Sequence, residues 1–199
     1  HRGPSSINWP IIFGEKQTGL TVFWPDAGLD SGPVLLQKSV EIGPDDTLGT
    51  LYFNRLFPMG VEAVAEAVRL VREGRAPRIP QDESQATYEG WCKDKDAEID
   101  WSKPAQQVYD LIRGCNPRPG AFTARDGSRL RIFDSEFRPP ACRGGLPGTV
   151  VAVGPAGFEV AAADGRILVK RVQPTGGKKV AAGEYATAAG LKTGARFGA

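Results

Sequence analysis

An α/β layer unit followed by a small antiparallel β unit is the fold class predicted by three features of the sequence. Residues 20–24 (LTVFW) and 34–42 (VLLQKSVEI) are rich in β-branched and apolar side chains and lead into a helical repeat that runs to Glu73. Residues 75–83 (RAPRIPQDE) carry two prolines and no periodicity. Beyond residue 128 the pattern turns to period two, with short strands expected at 129–133, 149–153, 158–162 and 167–172. Several short strands at near-regular spacing predict a closed barrel, which leaves no exposed sheet edge. The expected boundaries are 1–80 for the first unit, 81–88 for a connector, 89–182 for the second unit and 183–199 for an Ala/Gly-rich tail with one weak helix.

Each element has a local reason. Residues 25–33 (PDAGLDSGP) interrupt the two strands with Pro, Gly and Asp and are expected to form a loop. Asp46 or Thr47 can cap the orphan N–H groups of a helix whose apolar positions are Leu48, Leu51 and Tyr52. Pro58 is expected to kink or restart that helix. Val61, Val64, Val68 and Val71 then repeat at helical spacing, and Gly74 supplies the stop. Ser102 and Pro104 open another helix with Val108, Leu111, Ile112 and Cys115 on its apolar stripe, and NPRPG at 116–120 ends it. The turns between the last three strands fall at 154–157 and at ADG, 163–165.

Composition narrows the function classes. The 199 residues are 41% hydrophobic and 24% charged, an ordinary globular balance. No apolar run is long enough to span a bilayer, so no membrane partner is expected, and no secretory signal pattern is found at the start. The chain opens on HRGPSSINW rather than on Met and reads as the middle of a longer frame. Cys92, Cys115 and Cys142 form no CxxC pair, so neither a disulfide framework nor a metal site is signalled, and a reducing, cytoplasmic location is expected. His1 is the single histidine, so a His-based triad or multi-His metal site cannot be built from these residues. The net charge of +2 is unevenly spread: residues 141–199 hold 8 basic and 3 acidic side chains. That basic third reads either as a face for a polyanion such as RNA or as a solvated surface.

The 25–33 loop is the chief candidate for chemistry. In an α/β sheet, ligands bind in the crevice at strand C-termini, and the glycines allow close approach of the backbone to a ligand. Asp30 is then a general base or a positioner of a reacting amine or water. The competing reading makes Asp26 and Asp30 turn residues that bond their own backbone. Trp24, Trp91 and Trp101 are read as packing residues rather than as platforms for bases.

The segments HRGPSSINW, TGLTVFWPDAGLDSGPVLLQK and PDDTLGTLY resemble the formyltransferase family that uses 10-formyltetrahydrofolate, and the similarity continues through GRAPRIPQDESQATYEG, IDWSKPAQQVYDLIRGCNPRPGAF and VQPTGGKK. The family includes methionyl-tRNA formyltransferases, sugar-amine formyltransferases and the hydrolase domain of 10-formyltetrahydrofolate dehydrogenases. The resemblance implies the C-terminal part of a Rossmann-like formyl-transfer domain, followed by a barrel resembling the OB fold. It implies that Asp30, in the pattern GLD-(S/T)-G, is the catalytic carboxylate, and that Pro25, Asp26, Ala27, Gly28 and Leu29 line the folate pteridine. The family's catalytic Asn and His lie in an N-x-H-x-S-L-L-P segment, which these residues do not contain, so the chain alone is expected to be inactive. His1 takes no catalytic role. Arg171, Lys178 and Lys179 could face initiator methionyl-tRNA in translation initiation, or form a solvated edge protected by charge. Three functions compete: transfer to methionyl-tRNA, hydrolysis as in the dehydrogenase branch, which LLQK, NRLFP and ATYEG favour, and a non-catalytic fragment with an RNA-binding barrel. No metal is implied.

Overall fold

A computed structural model describes residues 1–139 and 145–198. The chain divides into two compact units, one made of 1–11 and 15–91, the other of 12–14 and 92–199.

In the first unit, α1 (Asn8–Ile12) precedes an antiparallel hairpin of β1 (Gln17–Phe23) and β2 (Val34–Glu41), in register from Gln17 opposite Glu41 to Phe23 opposite Val34. The register slips between Val22 and Phe23, a bulge that bends the strand just where it enters the 24–33 loop. Thr47, not Asp46, caps α2 (Leu48–Leu51): its Oγ1 accepts from the Thr50 N–H at 3.1 Å, and the Thr50 hydroxyl accepts from the Thr47 N–H at 2.9 Å. Asp46 instead accepts from the Gly43 N–H at 2.7 Å and pairs with Arg55. Pro58 restarts the helix as expected. A π turn over Tyr52–Leu56 precedes α3 (Phe57–Arg72), so the position without an N–H falls in the first turn of the new helix, where no partner is needed.

The valine repeat does not face the core of this unit. Ala63 and Ala67 are the buried residues of α3, whereas Val61, Val64, Val68 and Val71 are 45–59% exposed. Small residues let the helix lie close on the hairpin, and Lys38 pairs with Glu66 across that contact at 2.8 Å. The core is correspondingly small: Ile11, Ile42, Leu51 and Leu56. The expected Rossmann-like layer is represented among the described residues by this antiparallel hairpin and its helices, without a ladder of parallel strands.

Residues 75–91 bond into the first unit. Val34 and Ile79 exchange both backbone hydrogen bonds, at 2.7 and 3.0 Å, and Arg2 bonds through its backbone to Thr87 and Glu89. Trp9 Nε1 donates to Gly90 O at 2.9 Å.

The second unit packs α4 (Ala105–Gly114) and α5 (Ala182–Ala188) on a six-stranded antiparallel sheet. Its strands are β3 (Phe122–Arg125), β4 (Ser128–Arg138), β5 (Val150–Gly154), β6 (Gly157–Ala161), β7 (Arg166–Pro174) and β8 (Val180–Ala181), in the order β3-β4-β7-β6-β5 with β8 on β7. Alternation puts Leu130, Ile132, Phe158, Val160, Ile167, Val169 and Val172 in the core with Trp101, Val108 and Ile112.

The closed barrel expected from the strand spacing is an open sheet among the described residues: β3 and β5 are its end strands, and no ladder joins them. The C-terminal segment stands there instead. Gly194 and Ala195 bond Val150, the Phe197 N–H donates to Gly148 O, and the Gly198 N–H donates to Ala124 O on β3, all at 2.8 Å. With an isolated antiparallel bridge between Thr149 and Arg196 they cover the β5 edge, while β3 is covered mainly by Ala97 and Ile99, which bond Phe122. Trp101 is a packing residue as expected, buried with Nε1 donating to Thr123 Oγ1 at 3.0 Å. Trp91 is not: it is 64% exposed. Cys142 lies outside the described residues.

Candidate functional site

The 24–33 loop is pinned at its base and shaped from within. The Trp24 N–H donates to Pro33 O at 2.9 Å and closes the neck. The indole Nε1 donates to Pro77 O at 2.8 Å, and the Arg78 guanidinium lies 4.1 Å over the ring. Inside the loop, Asp26 Oδ1 accepts from the Gly28 N–H and from Ser31 Oγ, each at 2.9 Å. This is the turn role that one sequence reading gave to both aspartates. Gly28 is required by that turn, since a Cβ there would lie 2.0 Å from Ser31 Oγ. Gly32 allows the chain to pass Trp24, whose carbonyl oxygen would be 1.7 Å from a Cβ.

Asp30 differs from Asp26 in every respect that matters for chemistry. Its φ is +54°, in the left-handed region that Asp tolerates better than most residues. It is half-buried, whereas Pro25, Asp26, Ala27, Gly28 and Leu29 are exposed. Its backbone is held: Gln81 Nε2 donates to Asp30 O at 2.9 Å and to Gly32 O at 2.6 Å. Gln81 is itself oriented by Arg2, whose Nη2 donates to Gln81 Oε1 at 3.0 Å. Arg2 in turn binds both oxygens of Glu83, at 2.8 and 2.7 Å. The hydrogen bonds from Arg2 hold the Glu83 carboxyl below its ordinary range, and Glu83, together with the charges of Asp30 and Asp26, raises Arg2. Among the described residues, no donor is bonded to the Asp30 carboxylate. A carboxylate on a fixed backbone, with its oxygens available, can accept a proton or orient a nucleophile.

Neither the role of Arg2 nor that of Gln81 is legible in the sequence, although both build this support. The available signal was the Pro80-Gln81 step after an aperiodic run, which places a long amide where the chain has no helix or strand of its own.

The basic candidates belong to the second unit. Arg171 is opposite Asp134 on β4, and Lys179 Nζ lies 3.4 Å from the centre of the Phe133 ring. Burial, and then the charge of Arg171, lower the Lys179 ammonium, so the structure brings these two cations together. Lys178 is exposed. Beside them Arg129 and Arg131 both bind Asp94, at 2.6 and 3.0 Å. No group of three or more metal-ligating side chains occurs among the described residues, and no described helix is long and apolar enough to cross a membrane.

Two family models match this chain, the formyl transferase model over residues 1–68 and the formyl transferase C-terminal domain over 92–190. The chain belongs to the formyl transferase family. Within that family it is 42% identical over 195 residues to the human cytosolic 10-formyltetrahydrofolate dehydrogenase, matching 93% of this chain and 21% of that protein. It is also 42% identical over 197 residues to the methionyl-tRNA formyltransferase of Symbiobacterium thermophilum, matching 98% of this chain and 60% of that enzyme. The chain thus spans about a fifth of the first relative and three fifths of the second. The fold is shared with HypX from Aquifex aeolicus in complex with tetrahydrofolic acid, at a TM-score of 0.74 and 21% identity over 93% of this chain and 32% of that one.

Proposed function

We propose that this formyl transferase chain supplies the donor-binding loop and the proton-accepting carboxylate for formyl transfer from 10-formyltetrahydrofolate. The observation that carries the reading is the division of labour between two aspartates of one loop. Asp26 is committed to the turn, while Asp30 is held by its backbone and keeps its carboxylate available. The exposed stretch of Pro25, Asp26, Ala27, Gly28 and Leu29 offers backbone C=O groups and the N–H groups of Asp26, Ala27 and Leu29 to the edge of the pteridine, and the Leu29 side chain offers apolar surface.

Formyl transfer from nitrogen passes through a tetrahedral oxyanion. One part of the site must donate to that oxygen, and another must take the proton of the attacking group. Asp30 suits the second task. The Asn and His of the N-x-H-x-S-L-L-P segment suit the first, and these 199 residues hold neither. The acceptor we assign is initiator methionyl-tRNA, with Arg171, Lys178 and Lys179 toward phosphates; the basic C-terminal third supports it. Water is the second reading, supported by the identity to the dehydrogenase, and the OB-like character of the second unit remains part of the first.

The test places the amino-terminal part of the Symbiobacterium enzyme ahead of His1 and measures 10-formyltetrahydrofolate turnover with methionyl-tRNA and with water as acceptors. Asp30→Asn should lower turnover by about two to four orders of magnitude with little change in tetrahydrofolate affinity. Turnover equal to the parent chimera removes Asp30 from the mechanism.

A further inference from the structure

Cys92 is the first residue of the longer segment of the second unit, and Cys115 is the C-cap of α4. Their sulfurs are 4.0 Å apart, across 23 positions of sequence. Cys115 is fully buried; Cys92 is half-buried and so meets solvent. Cys115 belongs to the main core of the second unit, and Cys92 packs against that core. Neither thiol has a task in the formyl-transfer reading.

Rotation about the two Cα–Cβ bonds can bring sulfurs at this separation toward the bonding distance of about 2.05 Å. We propose that Cys92 and Cys115 form a reversible disulfide, with Cys92 meeting the oxidant and Cys115 resolving it. The oxidant is hydrogen peroxide, a two-electron acceptor small enough to reach a half-buried sulfur, and the proton that Cys92 releases goes to the departing hydroxide. The Cys92 thiolate attacks one peroxide oxygen, the O–O bond breaks, and the departing oxygen leaves as water. Cys92 is then a sulfenic acid. The Cys115 sulfur attacks the Cys92 sulfur, the S–O bond breaks, and the Cys115 proton leaves with the hydroxyl as a second water. Two thiols have lost two electrons in all, and the peroxide has become two waters. A dithiol reductant returns both thiols.

The order of events follows the surroundings. The hydrogen bond from Cys115 holds the Cys92 thiol below its ordinary value against the burial and the Asp96 charge that oppose it. The same bond, burial and the charges of Cys92 and Asp96 push Cys115 up. The first proton therefore leaves the sulfur that solvent can reach. Once formed, the bond ties the residue that opens this segment to the end of α4 and restricts the unfolded chain between them.

The test uses the 199-residue chain with Cys142→Ser, so that two sulfhydryls remain. Treatment with hydrogen peroxide, alkylation and intact-mass measurement should show a loss of about two hydrogens, no alkylation, and a cross-linked peptide joining 92 to 115. The unfolding midpoint of the second unit should rise by about 10 °C, and dithiothreitol should reverse both changes. In the same background Cys115→Ala should stop at a dimedone-reactive sulfenic acid on Cys92. Cys92→Ala should slow peroxide consumption at Cys115 by about tenfold or more. Two alkylatable thiols after oxidation, over-oxidation without a cross-link, or a disulfide only between chains would each overturn the assignment. The first measurement decides even if a variant fails to fold.

Discussion

Gln81 holds Asp30 across 51 positions of sequence, through a side-chain amide that donates 2.9 Å to the Asp30 carbonyl and 2.6 Å to that of Gly32. Removing this amide should therefore affect the loop before anything else. Gln81→Ala takes away two hydrogen bonds, each with a net value of about 0.5–1.5 kcal/mol. Part of that loss should appear as faster amide exchange in residues 25–33, and part as weaker tetrahydrofolate binding by calorimetry. Gln81→Glu should be worse, because it sets a carboxylate against two carbonyl oxygens. Unchanged exchange in both variants would show that the neck at Trp24 suffices.

Asp26 and Asp30 should separate by readout. Asp26→Ala removes the acceptor for Gly28 N–H and Ser31 Oγ, so loop order and folate affinity should fall. Asp30→Asn keeps the shape and the left-handed backbone, since Asn adopts that region readily. Its loss should appear in turnover of the chimera and not in binding. A fall in affinity alone for both variants would assign both residues to the turn.

The Arg2–Glu83 pair gives the loop support a pH dependence. The folded Glu83 pKa lies below its ordinary 4.5, so the pair contributes above that value, and the contribution is lost as pH falls through the depressed folded value. As pH falls through that depressed value the Arg2 side chain should become mobile by NMR, followed by Gln81. In Glu83→Gln the Arg2 signals should no longer titrate over that window. An equal response in the variant would place the titration elsewhere.

The Trp101–Thr123 hydrogen bond is wholly buried. Thr123→Val keeps the shape and leaves the indole N–H without an acceptor, at a cost of about 1–3 kcal/mol. Urea unfolding of the second unit should show this as a lower midpoint at an unchanged slope. Thr123→Ser, which restores the hydroxyl, should recover most of it.

The valine stripe of α3 should govern solubility. Val61, Val64, Val68 and Val71 form a contiguous exposed apolar face with Phe57. Val64→Lys with Val68→Lys should reduce self-association in sedimentation experiments while leaving the helical signal intact. Unaltered association would place the sticky surface elsewhere.

The sequence carries the second unit better than the first, for a physical reason. Leu130, Ile132, Ile167 and Val169 fall on the buried face of their strands, with Arg129, Arg131, Arg166 and Lys170 on the other, and that contrast is written locally. β3 leaves a fainter mark: four residues next to a Gly and a turn are too few to show a period. In α3 the valines show the helix but not its inner face, which small alanines occupy against the hairpin. The candidate loop was readable as a loop and Asp30 as its notable residue. The backbone clamp was not, because a contact from Gln81 to Asp30 leaves no periodic trace. Cys92 and Cys115 failed to register for the same reason: their nearness is created by the end of α4 and not by spacing.

Residues 194–198 bond Gly148 and Val150 at one edge of the second sheet and Ala124 at the other. During synthesis the β3 margin meets Ala97 and Ile99, which precede it and bond Phe122, whereas the β5 margin waits for residues 194–196, made more than forty positions later. The β5 edge therefore stays open to neighbouring nascent chains until residue 196 has cleared the ribosome. A ribosome paused between residues 182 and 193 would hold every strand of the sheet with the β5 edge unguarded, and chaperone demand should peak over that short stretch of synthesis.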